Sequence, residues 1–311
     1  MINFRDLVAA GLHYGHQASR WNPAMEPYIW GVKNEVHLID VSKTAYQLEK
    51  AAKFLESVAA EGKSILWVGT KKAAQNIVKS NAADLGNPFV THRWIGGTLT
   101  NFPQVKKSVT KLLHYEDILD KSEQYPYTKK ELNTLQKVSR RLEANVGGIR
   151  NLQWPVAAVV IVDVKKDRAA LLEAASSGVP VVALVDTNVD PALVDYVIPG
   201  NDDAPKAIKL VVDYLAEAAG RGYETAKKDA AAKKAEAKAQ KEAEALAKTK
   251  VKEADIKAAE DAELSLEEES DAEESSKPKV KKMKSDSGEK KPVKKGNPVR
   301  AKGAKKADSA E

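Results

Sequence analysis

Two segments of this chain, Val156–Val164 and Val179–Asp186, run through Val, Ala, Ile and Leu with no alternation of polar and apolar residues. A strand with one face in water alternates, so runs like these belong to strands buried on both faces of a parallel sheet. Shorter runs at Ser64–Thr70, Pro88–Thr91 and Tyr196–Pro199, bounded by Gly, Pro or Asp, read as further strands. Helical patterns lie between them. Ser42 or Thr44 is placed to start a helix through about Ala60, and Lys71–Leu85 is a second. Asp167–Ser177 ends at Gly178, and Asp203 is placed to cap Ala204–Ala218. Strands alternating with helices make βαβ units, so the fold class is α/β: a mostly parallel sheet with helices on both faces.

One segment breaks that rhythm. Pro103–Lys121 and Thr128–Val146 are amphipathic and are joined by Ser122–Tyr127. Val105, Val109, Leu112 and Leu119 lie near one stripe of the first, with Ile118 beside it. Leu132, Leu135, Val138, Leu142 and Val146 recur at spacings of three or four in the second. Stripes that narrow predict a two-helix antiparallel coiled coil projecting from the sheet domain. Its outer faces carry Lys106, Lys107, Lys111, Lys129, Lys130, Lys137, Arg140 and Arg141. Such charges serve equally as a solvated helix face.

Tyr223 is the last aromatic residue. Residues 224–311 hold 23 Lys+Arg and 20 Asp+Glu, too little apolar surface to offset the entropy of ordering. The expected organisation is therefore an α/β domain over 1–102 and 150–223, a helical hairpin over 103–149, and a low-complexity charged tail over 224–311, partly helical or disordered. The tail's charges segregate: Glu253–Glu274 has 11 acidic residues against one lysine, and Lys277–Lys306 has 13 basic against two acidic. A basic tail touches RNA non-specifically, but a solvated extension is the plainer reading. Without the tail the net charge is only +3, from 27 basic and 24 acidic residues, so contact with nucleic acid rests on local patches.

The absence of Cys excludes disulfides, thiol nucleophiles and thiolate zinc fingers. No apolar stretch approaches the roughly 20 residues of a membrane helix. The first sixteen residues contain Asp6, His13 and His16 and lack the apolar region of a secretory leader, so a cytoplasmic protein with no membrane partner is expected. The rival reading is a nucleotide-binding α/β enzyme or switch. Val68-Gly-Thr-Lys-Lys-Ala-Ala74 has one glycine where a dinucleotide fingerprint needs three, and no Gly-Lys-Ser/Thr ending, although Gly69-Thr70 before a helix can still hold one phosphate. Asp186 and Asp202-Asp203 follow strands and belong at the carboxyl edge of the sheet. There they cap helices, bond backbone N–H groups, or hold a divalent cation with a nearby histidine. The residues alone favour capping.

Three blocks go beyond the generic. Gly11-Leu-His-Tyr-Gly-His-Gln-Ala-Ser-Arg-Trp-Asn-Pro23, continuing through Pro27-Tyr-Ile-Trp-Gly31 to Val36-His-Leu-Ile-Asp40, strongly resembles the N-terminal signature of the ribosomal protein S2 family. His92-Arg-Trp-Ile-Gly-Gly-Thr-Leu-Thr-Asn-Phe102 resembles a second block, the one leading into the hairpin. Gly178–Asn188 with Asp190-Pro191, then Ile198-Pro-Gly-Asn-Asp-Asp-Ala204, resembles a third. The resemblance spans roughly residues 3–222. It implies a Rossmann-like, flavodoxin-like parallel sheet with a protruding coiled coil, and a non-catalytic protein on the ribosome. It further implies late entry into the small subunit and a place on the solvent side between head and body, in contact with 16S rRNA. The partners it implies are neighbouring small-subunit proteins, among them the large OB-fold protein that captures messenger RNA, rather than a second copy of the same chain.

The resemblance also bears on single residues. Some members bind zinc through positions that are here His16, Asp186, Asp202 and Asp203. One imidazole and three carboxylates suit zinc, and a metal-free polar cluster is the alternative; no cofactor is otherwise required. For rRNA, read largely by shape, the candidates are Arg20 beside Trp21, Lys33-Asn34, Arg93 beside Trp94, and the eight hairpin cations. Trp21 and Trp94 are expected mostly to pack.

Overall fold

A computed structural model describes residues 3–121 and 125–229. The expected charged tail, partly helical or disordered, lies beyond residue 229 outside the described residues. The chain opens with a short helix α1 (Phe4–Ala9), then strands β1 (Tyr14–Gln17), β2 (Ile29–Lys33) and β3 (Val36–Ile39), paired antiparallel in the order β1-β3-β2. Helix α2 (Val41–Ala60) leads into the main unit: β4 (Ile65–Val68), α3 (Lys72–Asp84), β5 (Phe89–Val90), α4 (Phe102–Asp120), α5 (Lys129–Val146), β6 (Ala158–Ile161), α6 (Arg168–Ser176), β7 (Val181–Val185) and β8 (Tyr196–Pro199). A last helix, α7, runs over 205–229.

The five main strands are all parallel, in the order β5-β4-β6-β7-β8. Numbered from β4, that order is 2-1-3-4-5, the flavodoxin-like winding, whose topological switch point falls between β4 and β6. The missing alternation now has its cause. Ile65, Trp67, Val160, Leu184 and Ile198 enter one core with α2, α3 and α7. Their neighbours Leu66, Val68, Val159, Ile161, Ala183 and Val185 enter a second core with α6 and the base of the α4–α5 hairpin. Both faces are apolar because both are covered.

The hairpin helices pack antiparallel, with Val105 at the start of α4 and Val146 at the end of α5 in the same core. Thr128 opens α5 with a reciprocal capping box to Glu131. In α4 the buried positions are Val105, Val109, Leu112 and Ile118; Leu119, expected on the stripe, is only half-buried. The buried side of α4 thus ends on Ile118, the residue expected beside the stripe.

Two helix starts differ from expectation. Helix α2 is capped by Asp40, whose carboxylate accepts from Ser42 N at 3.0 Å. Thr44 is instead buried, its hydroxyl donating to Pro199 O at 2.7 Å and so tying α2 to β8. Before α7, Asn201 Oδ1 accepts from Asp203 N (2.8 Å) and Ala204 N (3.2 Å), forming the turn that leads into Pro205 at the first helical position. That leaves the Asp203 carboxylate for other partners. Gly178, at φ +66°, ends α6 as its left-handed glycine.

Candidate functional site

The carboxyl ends of β4, β6, β7 and β8 lie together, and the N-terminal segment closes over them. Asn201 N donates to Leu12 O (3.0 Å) and Asn201 Nδ2 to Gly11 O (3.1 Å). His16 N donates to Thr187 Oγ1 (2.9 Å) and Asn22 N to Thr187 O (2.8 Å). Gly15 permits this approach, because a Cβ there would meet Thr187 Cγ2 at 2.6 Å.

That docking brings together the histidine and aspartates from opposite ends of the domain. His16 Nδ1 lies 3.0 Å from Asp186 Oδ2, and His16 Nε2 lies 3.5 Å from Asp203 Oδ2. Ligand atoms of His16, Asp186 and Asp202 all fall within 4.8 Å of one another. Asp186 is 1% exposed. Its Oδ1 accepts from Thr187 N and Oγ1, but Oδ2 is not aligned for any hydrogen bond among the described residues. That oxygen instead faces His16 Nδ1 at 3.0 Å, a nitrogen and an oxygen that a cation beside them can take as ligands. The donor set therefore fits a small divalent cation with nitrogen and oxygen ligands.

The site has a cation of its own that the sequence reading passed over. Lys71 Nζ sits 2.6 Å from Asp203 Oδ1, 2.8 Å from Asp202 Oδ1 and 3.5 Å from Asp163 Oδ2. In the sequence Lys71 stands only as part of a failed phosphate loop; what marks it out is its place at the switch point, one residue before α3. Burial opposes its charge, but the hydrogen bonds to Asp202 and Asp203 win and raise its pKa. Burial pushes the Asp202 carboxyl up to about 6 against the pull of Lys71. Lys71 holds the more exposed Asp203 below its usual range. The Asp186 carboxylate raises His16 above its ordinary value despite partial burial.

The phosphate seat that Gly69-Thr70 offered is taken by the chain itself. Thr70 N and Oγ1 both donate to the buried Asp167 carboxylate, at 3.2 and 2.8 Å, and Lys166 Nζ donates to Thr70 O at 2.8 Å. Gly69 serves packing: a Cβ there would meet Val78 Cγ2 of α3 at 2.8 Å. At this switch point the groups that would bind a nucleotide are satisfied internally.

The expected RNA-contact residues are spread over several surfaces. Arg20, Lys33, Asn34 and Arg93 are exposed, as are Lys106, Lys107, Lys111, Lys129, Lys130, Lys137, Arg140 and Arg141 on the hairpin. Asn34 (φ +52°) and Glu35 (φ +62°) form the turn between β2 and β3. Trp94 is buried, as expected, and donates through Nε1 to Glu173 Oε1 at 3.0 Å. Trp21 is half-exposed and lies over the His37 ring at 5.1 Å. Trp30, not singled out in the sequence, is 75% exposed on β2. Its signal is weak: one aromatic in a five-residue edge strand reads equally as core.

The profile described as ribosomal protein S2 matches residues 7–222. Small ribosomal subunit protein uS2 of Maridesulfovibrio salexigens is 40% identical over 238 residues, 76% of this chain and 92% of that protein. Small ribosomal subunit protein uS2 of Koribacter versatilis is 42% identical over 227 residues, 73% of this chain and 75% of its own length.

Proposed function

Because the chain belongs to the ribosomal protein S2 family, a family of ribosomal proteins and not of enzymes, we propose that it is a structural component of the bacterial small subunit. The match over residues 7–222 carries this reading. In it the chain binds 16S rRNA between head and body on the solvent side, enters late in assembly, and helps anchor the large OB-fold protein that captures messenger RNA. The α/β domain of 1–102 and 150–223 supplies the rigid body, and the 103–149 hairpin reaches outward as a coiled coil with its cations along a phosphate track. Arg20, Lys33, Asn34 and Arg93 are the contacts on the domain itself, and exposed Trp30 adds a face on which an unpaired base can stack. A body charge of only +3 makes isolated binding weak and salt-sensitive.

Zinc fits the sheet edge: His16, Asp186, Asp202 and Asp203 would hold it, and the charge it supplies there would pin the N-terminal segment to the strand ends. Equilibrium dialysis with zinc separates this from a metal-free cluster. The wild type retains the ion and a His16→Ala/Asp186→Ala variant does not; equal binding rejects the site. For the ribosomal reading the test is sucrose-gradient fractionation of lysate at moderate salt. The chain sediments with small subunits and intact ribosomes, and its confinement to the ribosome-free fractions would overturn the assignment.

A further inference from the structure

Where the hairpin joins the sheet domain, α3, the end of β5 and the last turns of α5 enclose a cleft of about 530 Å³. Three cations line it from three segments: Lys79 on α3, Arg140 on α5, and Arg150 beyond the hairpin. One carboxylate, Glu143, lines it too. Arg150 is already paired with Glu116. Lys79 and Arg140 are exposed, and among the described residues neither has a carboxylate within 4.0 Å.

The frame around these two charges is tight. Gly148 presses on β5 so closely that a Cβ would meet Phe89 O at 2.2 Å. Asn145 Oδ1 lies 3.0 Å from His92 Nδ1, fastening the last turn of α5 to the loop after β5. Lys79, on the sheet domain, and Arg140, on the hairpin, thus line one cleft from two different elements. An exposed pair of cations holds a single small anion weakly, because solvent screens it. A chain of phosphates gains instead from release of its counterions.

We propose that this cleft seats the backbone phosphate of an RNA strand between Lys79 and Arg140, so that the strand bridges the sheet domain and the hairpin across a junction the protein itself holds fixed. The inference rests on the ribosomal reading and adds to it a site, and one residue, Lys79, outside the hairpin's own track. Arg140 then acts as a junction contact rather than one more charge along a helix.

The test measures binding of the full chain to small-subunit particles stripped of this protein, between 50 and 200 mM salt. Lys79→Gln and Arg140→Gln each reduce the slope of log K against log salt by about 0.7 to 0.9, the loss of one phosphate contact, and the double variant by about twice that. Arg140→Lys keeps the wild-type slope. Lys79 and Arg140 are exposed, so the far-UV circular dichroism and Tm of the variants stay unchanged. If Lys129→Gln and Lys130→Gln lower the slope while Lys79→Gln does not, the cleft assignment falls and the ribosomal reading stands. If Lys79 matters on particles but not on naked rRNA, the occupant is an acidic protein surface and the RNA assignment is wrong. If the wild type shows no salt-dependent binding at all, the ribosomal RNA reading falls with it.

Discussion

Lys71 decides how the carboxyl edge of the sheet balances its charge. Its ammonium serves Asp163, Asp202 and Asp203 at once and is itself 21% exposed. Lys71→Met keeps the aliphatic stem but leaves Asp202, 3% exposed at its side chain, without a counter-charge. The expected loss is about 2 kcal/mol in urea unfolding, below the range for fully buried pairs because water reaches this one. Excess zinc returns part of that loss, since a dication replaces the missing charge; a variant indifferent to zinc would count against the proposed donor set. Asp167 allows a second measurement. Burial raises its pKa above 3.8. Between the unfolded and folded values the native chain holds a proton that the unfolded chain has released, so stability falls as pH rises through that window. Asn has no proton to release. Asp167→Asn therefore starts about 1 kcal/mol below the wild type for the weakened bonding to Thr70 and narrows the gap as pH rises above the ordinary carboxyl range. Parallel curves for the two proteins would refute the assignment. His16, Asp186, Asp202 and Asp203 were legible through their resemblance to a family pattern. Lys71 was not, because nothing local shows a lysine before a helix turning back to a strand end 131 residues away.

At the scale of elements, the strands were the most legible part of the chain, because burial on both faces leaves a pattern no half-exposed strand has. The caps were less so. Ser42, Thr44 and Asp203 have the chemistry of helix starters, yet Asp40 caps α2 and Asn201 holds the turn that leads into α7. Tertiary partners claimed two of the alternatives: Pro199 O takes the Thr44 hydroxyl, and Lys71 takes Asp203. The hairpin tests the inward and outward assignments directly. Leu112→Ala, at a fully buried site, costs about 3 kcal/mol, whereas Leu119→Ala costs well under half as much by the same urea titration. Equal costs would mean that the packing stripe is drawn wrongly. Gly148→Ala forces a Cβ onto Phe89 O and its ring and costs about 3 kcal/mol or prevents folding; Gly31→Ala, with open space around it, changes Tm little.

For the whole molecule, the boundary of the globular domain is where a loss of aromatics and a structural contact agree. The Tyr223 hydroxyl lies 2.9 Å from Lys63 O and 2.8 Å from Asn87 Oδ1, and α7 continues to 229. A chain ending at 229 keeps every one of these contacts and sediments with the small subunit as the full chain does. One ending at 222 loses the Tyr223 anchor and unfolds at lower urea, by about 1 to 2 kcal/mol. If the chain ending at 229 fails to sediment while remaining folded, the tail belongs to the binding surface.

The docking of residues 11–22 onto Thr187 and Asn201 also orders events in time. During synthesis that N-terminal stretch leaves the exit tunnel first, yet its partners are made some 170 to 190 residues later. It can pair with β3 early, but at the roughly 5 to 20 residues per second of chain elongation it waits on the order of ten seconds or more for the strand ends it closes over. The histidine and all three aspartates of the sheet edge can meet only after β8 has been made, so the edge acts as a progress mark: a chain that displays it has made all five parallel strands, with α7 still to pack.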